Sequence, residues 1–451
     1  MDTLTTEQVA ERLGVKPATV YAYVSRGLLR SVRNGDGKVS LFARADVDAF
    51  EAKRKGRATP SIQTGITLIT DGGLYYRGRD AVDLAATVSF ESVANLLWTG
   101  EPEHTDLLAP VDLLELATAV TAPLPAAARH TDRLRVIVAA AAAADPLRFD
   151  ITPASVVSTG RTLLATMVAA LPTATAMPYL AGPFSRSPGR HWDAAATSSG
   201  ADAEGGNDIG RSGAGSTRTL GAESVDGWEV TVVGARRGGG VVRSPLAAAL
   251  WKRLTGNPGT PADHAVLNAA LVLLADHDIA ASTLAARVAA STRAHPYAVV
   301  GAGLAALDGP LHGAASGLAY ELLADALSRR DSVEAVASRL RAGETIPGFG
   351  HRLYPAGDPR AKLLLDLLDD GPAAIRAEEI AEAMWDRSGV HPNVDLALAA
   401  LALDSGMPAD AGETIFAIAR TAGWLAHALE EYGDRPSRFR PSGRYAGRPP
   451  A

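Results

Sequence analysis

Two long stretches rich in alanine and leucine constrain the fold of this 451-residue chain more than any other feature. Residues 106–180, and the chain from residue 245 onward, place apolar side chains at helical spacing, which indicates packed helices. Between them, residues 182–240 are dominated by Ser, Gly, Asp and Arg and show hardly any apolar periodicity. That composition buries too little apolar surface to offset its ordering entropy. The sequence therefore predicts a mainly α protein with a mobile insert at 182–240.

The composition excludes several classes of function. Hydrophobic residues make up 47% and charged residues 21%, with a net charge of −6, so nothing attracts the whole chain to nucleic acid or an anionic membrane. The absence of cysteine excludes disulfides, thiolate catalysis and cysteine-based zinc sites. The N-terminal run MDTLTTEQVAERLG lacks the apolar core of a signal peptide, and no apolar tract is long enough to span a bilayer. We therefore expect a cytoplasmic location.

The N-terminal segment predicts a small winged helix-turn-helix unit. Thr5 and Gln8 have the spacing of a capping box at a helix start, and Pro17 suits the first turn of a second helix. The run NGDG at 34–37 lies between two apolar runs and predicts a hairpin, which forms the wing. A third helix is predicted from Ala45.

The run TTEQVAERLGVKPATVYAYVSRGLL, followed by FARADVDAF, resembles MerR-like and excisionase-like DNA-binding domains. The resemblance implies contacts to the major groove, or to phosphates from the wing, by Lys16, Thr19, Tyr21, Tyr23, Arg26, Arg33 and Lys38. The basic run KRKGR at 53–57 favours DNA contact. The alternative is a retained module that mediates only protein contacts.

Residues 346–360, IPGFGHRLYPAGDPR, concentrate the features of a small-molecule site. Gly348 and Gly350 carry no Cβ, so the backbone can approach a ligand closely. His351 and Arg360 can both face one anionic molecule, the histidine as a proton donor and the arginine as a planar fork of donors.

The same region of the chain supplies further groups for carbon-acid chemistry. They are His277, at the start of a helix predicted over 275–292, His312, Asp395 after a proline turn, and Arg420 in an apolar helix. A carboxylate base, a histidine that stabilises an enolate and a second histidine that protonates a carbonyl suit a condensation, with arginines holding a dicarboxylate. A histidine–aspartate metal site is the rival, but no H-x-H or H-x-x-x-H pair lies near an acid. We expect no metal and no cofactor.

Seven blocks carry a resemblance to citrate synthases: ITDGGLYYRGRDAVDLA, HDIAASTLAARVAAST, GPLHGAA, PGFGHRLYPAGDPRA, PNVD, FAIARTAGWLAH and RPSGRYAG, in that order between residues 65 and 447. The resemblance implies a helical homodimer in which a small domain closes over a large one. The predicted domains are a winged helix-turn-helix at 1–55, a linker at 56–64, a large domain at 65–312 and 403–451, and a small domain at 313–402.

The resemblance also implies roles for individual residues. Asp395 would deprotonate the methyl group of acetyl-CoA, His312 would stabilise the enol, and His351 would donate to the oxaloacetate carbonyl. The residues implied to hold the oxaloacetate or citrate carboxylates are His277, His351, Arg360, Arg420 and Arg440, the last reaching the partner subunit's site. Those implied to bind CoA, which is here a co-substrate, are Gly348, Phe349, Gly350 and Arg352.

Two departures keep alternative functions open. The block HPNVDLALAAL places Leu396 where relatives usually have an aromatic ring beside the base, and GAAS follows His312 where GGAN is common. Besides citrate synthesis, the sequence allows a 2-methylcitrate synthase that uses propionyl-CoA. It also allows a DNA-binding regulator that senses acyl-CoA or a dicarboxylate, or an inactive partner of a second synthase.

Overall fold

The computed structural model describes residues 3–13, 15–25, 29, 31–33, 40–44, 46–47, 50, 62–70, 72–174, 244–368, 370–441 and 447. The chain divides into two compact units, Met1–Gly65 and Ile66–Ala451. The described part is mostly helical with few strands, which confirms the predicted fold class. The predicted insert at 182–240 and the predicted wing turn at 34–37 lie outside the described residues, as do Arg26 and Lys38.

In the first unit, the elements with described bounds are two helices and a three-stranded antiparallel sheet in the order β1-β3-β2. Its elements are β1 (Thr3–Thr5), α1 (Thr6–Leu13), α2 (Pro17–Ser25), β2 (Val32–Arg33) and β3 (Ser40–Ala43). The predicted capping box is present, because the Thr5 amide donates to Gln8 Oε1 at 2.9 Å and the Gln8 amide donates to Thr5 Oγ1 at 3.4 Å. The sequence did not predict β1, since three residues are too few to show an alternating pattern.

The second unit begins with an antiparallel sheet of three short strands. They are β4 (Thr67–Thr70), β5 (Gly73–Tyr76) and β6 (Arg79–Asp80). The Tyr76 ring is buried, and its hydroxyl lies 3.0 Å from the carbonyl oxygens of both Val272 and Asp276. This hydroxyl therefore fastens the sheet to the chain just before His277.

The other elements described in this unit are helices. They are α3 (Ala81–Thr87), α4 (Phe90–Thr99), α5 (Val111–Thr121), α6 (His130–Ala144), α7 (Pro153–Ala169), α8 (Pro245–Thr255), α9 (Pro261–Leu274), α10 (Ala281–Ser291), α11 (Pro296–Leu307), α12 (Ala315–Ser328), α13 (Ser332–Arg341), α14 (Pro359–Leu368), α15 (Pro372–Ser388), α16 (Val394–Asp404) and α17 (Ala411–Gly433). None of these helices combines the length and the hydropathy that a membrane-spanning segment needs.

Helix α17 is the centre of the packing. All of its residues from Ala411 to Ala428 are buried, and it contacts helices α4, α7, α9, α10 and α11. Helices α12 to α16 pack mainly on one another, with α16 buried in the middle of the group. The boundaries proposed for the large and small domains stay a prediction.

The helix predicted over 275–292 begins later than expected. Helix α9 ends at Leu274 and α10 begins at Ala281, so His277 lies in the loop between them. Tertiary contacts explain the break, because the carbonyls of this loop are bound from outside. Arg420 Nε donates to the Leu274 carbonyl and the Gly423 amide donates to the Ala275 carbonyl, which removes both acceptors from a continuous helical ladder.

Candidate active site

The loop that carries His351 is held against the start of α16 by backbone hydrogen bonds. The Gly350 amide donates to the His391 carbonyl at 2.8 Å, and the Asn393 amide donates to the Gly348 carbonyl at 2.9 Å. Gly348 has a φ of +84°, and a Cβ there would lie 2.9 Å from Leu396 Cβ. Only glycine fits this position, so the close approach predicted for Gly348 is made to the protein itself.

Asp358 and Arg360 form an ion pair inside this region. Both side chains are buried. Arg360 Nε donates to Oδ1 at 3.0 Å and Nη2 donates to Oδ2 at 2.8 Å, while the Val394 amide also donates to Oδ2, at 3.1 Å. Although burial opposes it, the Arg360 charge holds the pKa of Asp358 below its ordinary value. One carboxylate therefore fixes both Arg360 and the first turn of α16.

A cluster of aromatic and imidazole rings lies beside Arg360. The His277 and His351 ring centroids are 5.2 Å apart, and the His351 and Tyr354 centroids are 4.9 Å apart. His277 Nε2 lies 3.0 Å from the Tyr354 hydroxyl, and the Arg360 guanidinium lies 5.3 Å from the centre of the Tyr354 ring. Burial and the Arg360 charge lower the pKa of both histidines, that of His277 well below its ordinary value. Both imidazoles are therefore neutral at pH 7.

The hydrogen bonding of His351 determines which nitrogen can donate. The Leu353 amide donates to His351 Nδ1 at 3.2 Å. Because Nδ1 accepts, a neutral His351 carries its proton on Nε2. His351 is thus a hydrogen-bond donor through the nitrogen that its own loop does not use.

Arg420 is a buried cation with unused hydrogen-bonding capacity. Its Nε donates to the Leu274 carbonyl at 2.9 Å, and its guanidinium lies 4.5 Å from the centre of the Phe416 ring. Nη1 and Nη2 have no hydrogen-bond partner within the described part of the chain. Burial lowers the pKa of Arg420 to about 10, which still leaves it charged at pH 7. A buried guanidinium with two open donor groups is suited to bind a carboxylate.

His312 reaches the same region from the turn before α12. Its Nε2 lies 2.8 Å from Ser282 Oγ, and its ring packs edge-on against Phe416 with centroids 5.5 Å apart. Burial and the Arg420 charge lower its pKa to about 4. Phe416 therefore lies between a neutral imidazole and the Arg420 cation.

Asp395 lies in the first turn of α16 and is half-buried. Its amide donates to Asn393 Oδ1 at 3.0 Å, which caps the helix. Burial raises the pKa of the Asp395 carboxyl to about 6, although the Arg360 charge opposes the shift. A carboxylate whose conjugate acid titrates near neutrality is a stronger base than an exposed aspartate.

The structure brings together most residues that the sequence singled out. His277 and His351 contact each other and the Tyr354 ring, over which the Arg360 guanidinium lies. Asp358 binds both Arg360 and the helix that carries Asp395, and the Phe416 ring contacts both His312 and Arg420. The predicted CoA residues differ in exposure: Gly348 is buried, Phe349 is half-buried, and Gly350 and Arg352 are exposed. Arg440 is exposed in the C-terminal segment, and its role at a partner's site stays a prediction.

Four residues that position the site were not predicted from the sequence: Asp358, Tyr354, Ser282 and Asn393. An aspartate just before a helix-initiating proline, and an asparagine just before an apolar helix, are both capping signals that mark Asp358 and Asn393. No sequence signal marks Tyr354 or Ser282, because their partners are distant along the chain.

A cleft of about 200 Å³ gives solvent access to the His351 side of this cluster. Its lining includes His351, Tyr354, Asp358, His391 and Pro392. The His391 ring stacks on Trp385 with centroids 4.4 Å apart. Among the described residues, no group of three or more His, Asp or Glu side chains is arranged to hold a metal ion.

The residues predicted to contact DNA have different environments in the first unit. Lys16, just before α2, and Tyr21, within α2, are both exposed. Tyr23 instead packs against Phe50 with ring centroids 5.0 Å apart, so its ring belongs to the unit's interior. Thr19 is half-buried, and Arg33 lies in β2.

Two family models match the chain. Residues 56–442 match the model described as citrate synthase, C-terminal domain, and residues 3–55 match a helix-turn-helix domain. Together they cover both compact units.

Curated relatives match over part of their length. The citrate synthase of Acidithiobacillus ferridurans is 38% identical over 214 residues, which are 45% of this chain and 55% of the relative. That of Haloferax volcanii is 39% identical over 186 residues, 40% of this chain and 49% of the relative. The 2-methylcitrate synthase 1 of Corynebacterium glutamicum is 33% identical over 184 residues, 39% of this chain and 48% of the relative. The chain spans about half the length of the curated relatives it matches.

Solved structures share the fold. The citrate synthase of Thermotoga maritima has a TM-score of 0.59 at 22% identity, covering 87% of this chain and 95% of that one. The Thermoplasma acidophilum citrate synthase was solved as a ternary complex with carboxymethyl coenzyme A and oxaloacetate. It has a TM-score of 0.60 at 20% identity, covering 89% of this chain and 97% of that one. At these identities the likeness concerns the fold.

Proposed function

Because the chain belongs to the citrate synthase family, we propose that it condenses acetyl-CoA with oxaloacetate to give citrate and CoA. The observation that most supports this function is Arg420, a buried cation whose Nη1 and Nη2 have no partner among the described residues. It lies in one region with three neutral imidazoles and with Asp395, whose pKa is raised to about 6. This combination suits a dicarboxylate whose carbonyl is attacked by an enol.

In the first step, Asp395 removes a proton from the acetyl-CoA methyl group, and the electron pair moves toward the thioester oxygen. A Ser282 hydroxyl that donates to His312 Nε2 leaves the imidazole proton on Nδ1. That N–H donates to the developing enolate oxygen. The lowered pKa of His312 keeps the ring neutral, so it acts as a hydrogen-bond donor throughout the step.

In the second step, the enol carbon attacks the oxaloacetate carbonyl carbon. The carbonyl electron pair moves to oxygen, and His351 donates its Nε2 proton to that oxygen through the nitrogen that its own loop leaves available. A proton from water returns to Nε2, so the ring ends the step neutral. Arg360, Arg420 and His277 hold the carboxylates and orient the carbonyl for attack. Water then hydrolyses the citryl thioester and releases CoA.

CoA contacts and a second subunit complete the proposed site. Gly348, Phe349, Gly350 and Arg352 bind CoA, and Arg440 reaches the site of the partner subunit in a homodimer. No metal or prosthetic group takes part, since side chains supply the acid, the base and the anion-binding groups. The protein works in the cytoplasm.

Release of free CoA thiol from acetyl-CoA, with and without oxaloacetate, tests the proposed function on the full-length protein. We expect oxaloacetate-dependent release that is lost in Asp395→Ala, because the neighbouring carboxylate, Asp358, is occupied by Arg360 and by the Val394 amide. Full turnover by Asp395→Ala would contradict the assignment of the base.

Propionyl-CoA is the alternative acyl donor, which would make the product 2-methylcitrate. Leu396, buried directly after the base, supports this alternative because a smaller or differently shaped side chain beside Asp395 alters the space for the acyl group. The same thiol assay, run with both donors, decides between them by the ratio of kcat/KM values.

A second candidate function is DNA-binding regulation by a protein that senses acyl-CoA or a dicarboxylate. The helix-turn-helix match over 3–55 favours it, as does the exposure of Lys16 and Tyr21. Binding of the full-length protein to DNA from upstream of its own gene, measured against scrambled DNA at several salt concentrations, tests it. Absence of binding at low salt would exclude this function, whereas a sequence preference that changes with oxaloacetate would support it.

A further inference from the structure

A chain of buried polar groups extends from the His277 loop into the interior. Asp276 Oδ2 accepts from Thr67 Oγ1 at 2.5 Å and lies 3.2 Å from His427 Nε2. His427 Nδ1 lies 2.5 Å from Arg287 Nη1, and Arg287 Nε donates to Glu431 Oε1 at 2.5 Å. All five side chains are buried.

The donor and acceptor of each hydrogen bond in this buried network can be assigned. A guanidinium can only donate, so His427 Nδ1 accepts from Arg287. His427 then carries its proton on Nε2 and donates it to Asp276. Asp276 therefore receives two hydrogen bonds on one carboxylate oxygen, which stabilise its ionised form. Consistent with this arrangement, the charges and hydrogen bonds around Asp276 lower its pKa although burial opposes the shift.

Asp276 is packed tightly against the helix that carries Arg420. A Cβ at Gly423 would lie 2.4 Å from Asp276 Oδ1, and the Gly423 amide donates to the Ala275 carbonyl. Oδ1 is buried and has no hydrogen-bond partner among the residues that the structure describes, as is also true of Nη1 and Nη2 of Arg420. A buried anion and a buried cation, both with open hydrogen-bonding capacity, thus lie on the two sides of one helix–loop contact.

We propose that Asp276 is a positioning residue that sets how strongly Arg420 and His277 hold the carboxylates of the substrate. This inference rests on the proposed function. Thr67 and His427 fix the Asp276 side chain, and Asp276 in turn fixes the adjacent His277. The Asp276 charge also balances the Arg420 cation before a substrate enters, and it opposes the arriving dicarboxylate by like-charge repulsion.

The positioning role of Asp276 and its negative charge predict opposite effects on the affinity for oxaloacetate, so two variants separate them. Asp276→Asn keeps the shape and removes the charge, which leaves Arg420 without its counter-charge. We expect a lower unfolding temperature of the free protein together with affinity for oxaloacetate that rises about threefold or more. Thr67→Val keeps the charge and removes the hydroxyl that fixes it. We expect its affinity for oxaloacetate to fall, because the His277 loop is less well held.

Asp404→Asn is the matched control. Asp404 accepts from the amides of Ala373 and Ala374 at the far end of α16 from Asp395, so its loss should lower stability by releasing a different helix start. Calorimetric binding of oxaloacetate to each full-length variant, paired with thermal unfolding, gives both quantities. An Asp276→Asn protein whose affinity and stability fall together, as damage to the structure alone would cause, overturns the inference.

A measurement without substrate separates this inference from the proposed function. Amide hydrogen exchange of residues 272–280 in the free protein should be faster in Thr67→Val than in either wild type or Asp404→Asn. If wild type binds no oxaloacetate, the proposed function fails while this comparison still tests the positional part. Equal exchange in Thr67→Val and wild type would show that Asp276 does not hold the loop.

Discussion

Asp358 and Arg360 are joined by two hydrogen bonds, at 3.0 and 2.8 Å, although only one residue separates them in the chain and both are buried. The same carboxylate accepts the Val394 amide at the start of α16. Asp358 therefore holds in place both Arg360, which is proposed to bind a substrate carboxylate, and the helix start that carries Asp395, the proposed base. A change at Asp358 should disturb both.

Asp358→Asn should be strongly destabilising. It leaves the buried Arg360 cation without its partner, and breaking a buried ion pair by removing one member costs about 3–5 kcal/mol. We expect a large fall in the free energy of unfolding, measured by urea denaturation, together with loss of turnover. Asp325→Asn is the control, since it removes a partly exposed ion pair with Arg329, and such solvent-screened pairs contribute little to stability. Similar losses in the two variants would contradict the importance assigned to Asp358.

The pH dependence of catalysis should follow Asp395. The base works in its deprotonated form, and its pKa is raised from 3.8 to about 6. We therefore expect the kcat/KM of the proposed condensation to fall as the pH drops through 6, by about tenfold between pH 7 and pH 5. Turnover measured across this range checks the midpoint. A midpoint near 4 would show that burial does not raise the pKa of the working base.

Asp395→Asn should raise stability while it removes activity. A carboxyl whose folded pKa lies above its unfolded value binds protons more tightly in the folded state. The free carboxylate therefore lowers stability as the pH rises through the folded pKa. We expect the Asn variant to unfold at a higher temperature than wild type at pH 8, with a smaller difference at pH 5. A lower unfolding temperature at both pH values would be inconsistent with this linkage.

Arg420→Gln should weaken oxaloacetate binding by roughly 10- to 100-fold, since hydrogen bonds to charged groups contribute about 1.5–3 kcal/mol. Arg420→Lys keeps the charge but loses the fork of donors, so it should recover only part of the affinity. Calorimetry with oxaloacetate measures both. Arg329→Gln, at a partly exposed ion pair with Asp325, is the control, and we expect its affinity to be unchanged. Unchanged binding in Arg420→Gln would place the dicarboxylate elsewhere.

Tyr354→Phe tests whether the phenol hydroxyl orients His277. The variant keeps the ring that packs on His351 and removes a hydroxyl 3.0 Å from His277 Nε2. We expect the KM for oxaloacetate to rise about two- to tenfold. Tyr432→Phe, whose hydroxyl donates to the Ala294 carbonyl at 2.6 Å, should lower stability without changing KM. Equal effects on KM would mean that the Tyr354 hydroxyl has only a structural role.

The sequence allowed the helical class, the capping box at Thr5 and Gln8, and the identity of most cluster residues to be predicted. These features depend on local spacing or on residue types within short motifs. The start of the helix near His277 was predicted wrongly, because the acceptors that end α9 are bound by Arg420 and Gly423 from a distant helix. The helix propensities of residues 275–280 are local properties and do not reflect those distant contacts.

The sequence by itself determined which chemical groups are present: one aspartate in a helix start, histidines flanked by small residues, and arginines in apolar surroundings. Only the tertiary structure decided their protonation and their partners. Burial raises the pKa of Asp395 and lowers that of His312, and Asp358, Tyr354 and Ser282 become neighbours of residues far along the chain or on another element. The physical reason is that desolvation and charge interactions depend on distances in space, which the order of residues along the chain does not give.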